Sequence, residues 1–388
     1  MEYHPAANVF PLMQGAEYRA LCDDITEHGL HEDILVYEGS ILDGRNRHRA
    51  CIDAGIEPRF REWDGNGSAL DMVVSMNLHR RHLNPGQLGM CAAEGEWMLA
   101  GEAKERQRGG QGGALLGANL PQAKGRALEH AAAIFGVSRR TAQEAKKLKA
   151  EAPDLAEKVR AGEVTISEAK KENRSRKTNI ERAALAATVE VLPKNERFAL
   201  VHDDIRHANL KGTFDTIITD PPYPREYVPL YEILAERATE WLRPDGLLVV
   251  MCGQLYADEI MARMSKHLNY YWTGCYLTPG PAPAIRTRQV NTNWKPLFIF
   301  SRNEYKGKLF GDVFRSERRD KDHHAWGQSV SGFSAIIGGI CVPGQHILDP
   351  FCGAGTTGIA AVQNGCRFTG IDIDNEALKV AAARLKSL

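Results

Sequence analysis

The stretch that most restricts the fold is HILDPFCGAGTTGIAAVQNGCRFTGIDIDNEAL, residues 346–378. An apolar strand (His346 to Leu348) runs into a glycine turn, a helix of small residues follows, and a second apolar strand ends at Asp372. Two strands joined through a helix lie parallel, so the segment demands an α/β sheet with crossovers. Gly353, Gly355 and Gly358 spell G-x-G-x-x-G, the spacing at which the first turn of a doubly wound sheet meets a nucleotide. Such a sheet has a second half, which ordinarily follows.

Here it comes first. FALVHDDIRHANLKGTFDTIITDPPYP contains a strand ending at Asp203-Asp204 and a second (Thr216 to Thr219) that delivers Asp220-Pro221-Pro222-Tyr223. A helix (LYEILAERATEWL), a Pro244-Asp245-Gly246 turn, the strand LLVVMC and later the strand in NWKPLFIFSR complete the set. These read as the later strands of a Rossmann-like doubly wound α/β sheet, placed ahead of the early ones.

That order, DPPY before LDPFCGAGTT and GIDID, resembles the DNA amino-methyltransferases of the beta order over about residues 197–388. The resemblance implies S-adenosylmethionine as cofactor and an exocyclic base amine, adenine N6 foremost, as acceptor. Cytosine-N4 enzymes of similar design more often carry Ser at the first position of the tetrapeptide. An exocyclic amine is a poor nucleophile because its lone pair is delocalised into the ring. Asp220 and the rigidly held Pro221 carbonyl can accept both amine hydrogens, two prolines fix that backbone, and Tyr223 offers an aromatic face to an extruded base. By the same resemblance Asp349 and Phe351 line the donor, Gly353 and Gly355 let the backbone approach it, Thr356 follows at the helix start, Asp372 takes the ribose hydroxyls and Asp204 borders the adenine. The family often carries a His-Pro-Thr-Gln-Lys-Pro-like box before the cofactor strand. This chain has HHAWGQSVSGF, with Gln328-Ser329 where Lys-Pro would sit and Trp326 or Gln328 as cofactor-side candidates.

The front half differs in kind. ILVYEGSILDGRNRHRACIDAG reads as strand, Gly39-Ser40 turn, strand, Asp43-Gly44 turn and helix. Gly44, Arg45, Arg47 and Arg49 gather at that helix's start, where free N–H groups and guanidinium groups suit a phosphate. With NLHRRHLNPGQ behind it, the stretch resembles the N-terminal domain of the chromosome-partitioning ParB family over most of residues 15–90. In that family the glycine–arginine box binds a nucleotide or related phosphate. Gly44-Arg45-Asn46-Arg47 stands where Gly-Glu-Arg-Arg is usual, so phosphate or DNA contact is expected without nucleotide hydrolysis.

Net charge is zero, with 49 basic and 49 acidic residues, so the distribution of charge is more informative than its sum. Residues 101–150 hold ten Lys and Arg against four acids. Within them ALEHAAAIFGVSRRTAQEAKKLK reads as a helix, a Gly136 turn and a second helix capped by Ser138. Arg139, Arg140, Thr141 and Gln143 stand at its start, the order of a DNA-binding helix-turn-helix. Three domains follow: a small α+β ParB-like domain (1–90), a helical domain with linker (91–187) and the methyltransferase domain (188–388). DNA is the expected partner, a homodimer is left open, and the fusion suggests a phage or restriction-modification setting.

Eight cysteines lie scattered without a C-x-x-C pair, so neither a zinc site nor a disulfide framework is expected. No apolar run reaches membrane length and no signal pattern opens the chain, which points to the cytoplasm. Two rival readings are weaker. A nicotinamide dehydrogenase leaves DPPY unexplained, and a non-enzymatic ParB-like protein accounts for the front half alone.

Overall fold

The computed structural model describes residues 1–78, 83–108, 126–210, 213–280, 284–317 and 329–388. The chain divides into two compact units, Met1–Arg174 and Ser175–Leu388. The expected divisions at 90 and 187 do not coincide with this one. Val9, Phe10, Leu35, Leu42 and Leu70 share a single core with Cys91, Leu128, Phe135 and Ala142, so residues on both sides of 90 fold around the same apolar cluster.

In the first unit, α1 (Gly15–His28) precedes β1 (Ile34–Tyr37), β2 (Ser40–Asp43), α2 (Arg45–Ala54) and β3 (Phe60–Glu62). β1 lies between β2, antiparallel to it, and β3, parallel to it. The hairpin turn is Glu38-Gly39, one residue earlier than the sequence pattern suggests. Both residues have positive φ (49° and 74°), as a two-residue turn that follows the strand twist requires. Helices α3 (Ala69–Asn77), α4 (Pro85–Arg108), α5 (Arg126–Ile134), α6 (Arg139–Glu151) and α7 (Pro153–Ala161) follow. The passage to the second unit falls within α8 (Ile166–Ala187).

The second unit is built on β4 (Phe198–His202), β5 (Phe214–Thr219), α9 (Val228–Trp241), β6 (Leu242–Met251), α10 (Ala257–Met264) and β7 (Asn269–Leu277). A short hairpin of β8 (Ala284–Ile285) and β9 (Val290–Asn291) comes next, then β10 (Trp294–Ser301), β11 (Val313–Arg315) and α11 (Val330–Ile340). The chain closes with β12 (His346–Asp349), α12 (Thr356–Gln363), β13 (Arg367–Asp372) and α13 (Asn375–Lys386).

Eight of these strands form one sheet in the order β11-β7-β10-β6-β5-β12-β13-β4. β6, β5, β12, β13 and β4 run parallel, and β10 is antiparallel to both its neighbours. Continuous apolar runs suit strands covered on both faces. Along β6, Leu247, Val249 and Met251 pack in a cluster with Phe333 and Ile336 of α11, whereas Leu248 and Val250 pack with Tyr231 and Leu234 of α9. Each such fully buried side chain contributes about 1.5–3 kcal/mol. Both helical layers are therefore written into one decapeptide.

The topology decides where a ligand can sit. From β5 the chain moves through α9 to β6 on one side, while from β12 it moves through α12 to β13 on the other. β5 and β12 are neighbours in the sheet, so their carboxyl ends flank the crevice at which doubly wound sheets bind ligands.

Candidate active site

Asp220-Pro221-Pro222-Tyr223 leaves the end of β5, and Asp349-Pro350-Phe351 leaves the end of β12. Although 130 positions apart in sequence, the two ends are tied by one buried hydrogen bond, from Thr219 Oγ1 to Asp349 Oδ1 at 2.6 Å. Thr357 Oγ1, inside α12, donates to Asp349 Oδ2 at 2.5 Å, and the Phe351 N–H donates to Oδ1 at 3.0 Å. Asp349 is 2 % exposed, and burial pushes its carboxyl up to about 6 against the pull of its three donors. Asp349, expected to line the donor, has both oxygens engaged by protein donors and so ties the β5 and β12 ends together. Thr357, which the sequence reading did not name, reaches the carboxylate.

The glycines of the loop divide the work differently from the expected pattern. Gly353 has φ +50°, and among the described residues nothing lies within 4 Å of where its Cβ would stand. Gly355 has φ +79°, and a Cβ there would come 2.7 Å from Ala381 Cβ of α13. Close packing between elements thus fixes Gly355. Asp372 ends β13 half-buried; its Oδ2 accepts from the Gly353 N–H at 2.7 Å and its Oδ1 from the Asp374 N–H at 2.9 Å. One lone pair on each oxygen is left to meet vicinal hydroxyls. The next residue, Ile373, is 67 % exposed, an apolar surface beside that carboxylate. An open glycine backbone, an accepting carboxylate and an apolar neighbour fit an adenosyl group, with Phe351 half-buried at the loop's start. Asp204 accepts from the Arg206 backbone at 2.9 Å and side chain at 3.0 Å, and these bonds hold its carboxyl below the usual range.

On the β5 side, Pro221 is buried, and its carbonyl meets the Tyr231 hydroxyl at a long 3.5 Å. The Tyr223 hydroxyl donates to Asp220 Oδ1. Lys295 of β10, absent from the sequence expectation, donates to Tyr223 Oη at 3.1 Å. Its Nζ is 4.9 Å from the ring centroid, within cation–π range. Burial, and after it the charge of Asp220, push the Tyr223 hydroxyl well above its ordinary value. Trp326 and Gln328 lie outside the described residues. Ser329 caps α11, accepting from the Gly332 N–H at 3.3 Å.

In the first unit the glycine–arginine box is a packing device. Arg45 is 7 % exposed and donates to Asn8 Oδ1 at 2.7 Å and the Phe10 carbonyl at 2.6 Å. Arg47 pairs with Glu32 at 2.5 Å and Asp43 at 2.9 Å, and Arg49 lies over the Tyr18 ring at 4.4 Å. The three arginines expected to contact phosphate thus all have partners within the unit, and a cavity of about 270 Å³ adjoins Gly44, Arg45 and Arg47. At the start of α6, Ser138 accepts from the Thr141 N–H at 3.1 Å, so both residues shape the helix end. Arg139, Arg140 and Gln143 are exposed, with Arg139 3.7 Å from Glu129 and Arg140 3.2 Å from Glu144. The basic excess is also offset by α4, where Glu96 pairs with Lys146 at 2.7 Å and Glu94 with Lys149. All eight cysteines are free, and one exposed set among the described residues, Asp24, His28 and His31, brings metal-ligand atoms together.

A profile of the family described as DNA methylase, whose name pairs N6 and N4 transfer, matches residues 332–383, which include the β12 end, the glycine loop and Asp372. The chain is 54 % identical over 44 residues to the type II methyltransferase M2.DpnII of Streptococcus pneumoniae, covering 11 % of this chain and 16 % of that protein. It is 23 % identical over 221 residues to the type II methyltransferase M.HpaI of Haemophilus parainfluenzae, covering 46 % of this chain and 69 % of that protein. Among solved structures it is similar to the M1.HpyAVI–SAM complex, with a TM-score of 0.40 and 22 % identity over 48 % of this chain and 98 % of that one. The sequence matches support a DNA methyltransferase.

Proposed function

We propose that this chain transfers a methyl group from S-adenosylmethionine to the exocyclic amine of a DNA base turned out of its stack, with adenine N6 as the acceptor. The observation that carries the reading is the Thr219–Asp349 hydrogen bond, which couples the loop with amine-accepting groups to the loop fitted for an adenosyl ligand. The acidic first residue of the tetrapeptide favours adenine over cytosine.

Asp220 and the Pro221 carbonyl accept the two amine hydrogens and draw the nitrogen toward tetrahedral geometry. Tyr223 offers a ring face to the base. On the other loop, Gly353, Asp372 and Ile373 hold the adenosyl group, while Asp349 keeps the two loops in register. The bound donor supplies a sulfonium-activated methyl: the N–C bond forms as the C–S bond breaks, the electron pair goes to sulfur and the surplus amine proton to Asp220. Alignment of the two reactants accounts for much of the acceleration.

We assign the first unit to DNA contact, as a ParB-like domain with a helix-turn-helix formed by α5 and α6. Arg139, Arg140 and Gln143 are the residues that meet DNA, with Ser138 and Thr141 setting the helix start. Among the described residues no helix is long and apolar enough to cross a membrane.

Mass spectrometry of nucleosides from unmethylated genomic DNA, incubated with enzyme and isotopically labelled donor, tests the function. Labelled N6-methyladenine is expected. Labelled N4-methylcytosine would reassign the base, and label absent from DNA would overturn the reading.

A further inference from the structure

Lys295 has no place in the sequence pattern, yet the fold brings it to the Asp220 loop. It lies in β10, paired with β7 through Tyr276. The next residue, Pro296, accepts from the Cys252 N–H at 3.2 Å, which fixes this part of β10 against the end of β6. An ammonium has donors only, so Tyr223 Oη accepts from Lys295 and passes its own hydrogen to Asp220 Oδ1. The direction of the chain is therefore set: cation, phenol, carboxylate.

We propose that Lys295 is a positioning residue for methyl transfer, holding Asp220 through Tyr223 as an ionised acceptor for the base amine. The inference rests on the reading of Asp220 as the acceptor of the amine hydrogens. The groups that face Asp220 include Tyr223 from its own loop, Tyr231 from α9, Cys252 beyond β6, Tyr276 from β7 and Lys295 from β10. Burial and the Asp220 charge push the Tyr231, Cys252 and Tyr276 protons to higher pH, so these three stay neutral. Lys295 brings positive charge to the set. Without it, the half-buried carboxylate loses a neighbouring positive charge and is protonated more readily, and a protonated Asp220 no longer accepts.

The test compares Lys295→Met and Lys295→Arg with the wild-type full chain, using labelled donor and unmethylated genomic DNA across a pH series. Lys295→Met is expected to lower kcat roughly ten- to hundredfold, the range for losing a charge-assisted hydrogen bond. Its KM for the donor should stay near wild type, and the acid limb of its kcat profile should move to higher pH. Lys295→Arg should restore the limb and part of the rate. An active wild type beside a Lys295→Met variant with the same kcat and profile would overturn the proposal alone. So would a rate that falls only with the folded fraction, read by thermal melting, at an unchanged profile. A wild-type protein that methylates no DNA amine would remove the underlying reading, and this proposal with it.

Discussion

The loops after β2 and β5 begin alike, each with an acid at the end of a strand, but they use their charges in opposite ways. Asp43 accepts from Arg47 at 2.9 Å and from Asn77 at 2.7 Å, and the neighbouring Arg45 is consumed by Asn8 and Phe10. Carboxylates, carbonyls and rings of the same unit have taken up each arginine of the box. Asp220, by contrast, receives a hydrogen from the phenol of Tyr223 and stays half-buried at the edge of a crevice. The Tyr223 phenol is a neutral donor, whereas the salt bridge at Asp43 neutralises both of its members. Charge density along a sequence therefore says little about charge available to a ligand.

The strongest way to break this contrast is at Asp349, the acid that serves the fold inside the reactive unit. Asp349→Ala strands the Thr219 and Thr357 hydroxyls and the Phe351 N–H, and should destabilise the protein by about 2–4 kcal/mol in denaturant unfolding. The milder Asp349→Asn tests its proton. The folded-state value of about 6 lies above the usual carboxylate range, so the folded protein holds that proton more tightly than the unfolded chain. Its contribution is complete below the unfolded value and lost as pH rises through about 6. Asn should flatten that decline in stability between pH about 4 and about 6.

A smaller effect is expected at Arg45, where Ala removes two charge-assisted hydrogen bonds and should cost about 1.5–3 kcal/mol. Wild-type melting should at the same time respond little to added inorganic phosphate; a large phosphate-dependent rise would mean that the box keeps charge in reserve. Gly353→Ala, at φ +50° with open space around it, should cost about 1 kcal/mol in stability and reduce donor affinity in calorimetry. Arg49→Ala loses one exposed cation–π contact and should cost about 0.5–1 kcal/mol.

Much of the second unit was legible because its strands are covered on both faces. A run such as LLVVMC has few other uses, and an acid at a strand end followed by proline or glycine marks a loop. The rotated order, the central strands and Asp220 followed from that. β7 was not legible: Tyr270, Tyr271 and Trp272 are exposed, so the strand lacks a buried apolar run. The roles of Asp349, Thr357 and Lys295 depend on neighbours far away in sequence, which local patterns do not encode. The ion pairs of α6 were not legible for the same reason, since Glu94 and Glu96 of α4 lie some fifty positions from the lysines they pair with.

The most direct measurement sets wild type beside Asp220→Asn, an exchange that keeps shape and removes charge, in a labelled-donor assay on duplex DNA with donor binding followed by calorimetry. Donor affinity should be unchanged while methyl transfer falls by about 10²–10³-fold, the loss typical of one preorganised polar group. An Asp220→Asn variant that methylates DNA at the wild-type rate would contradict the account.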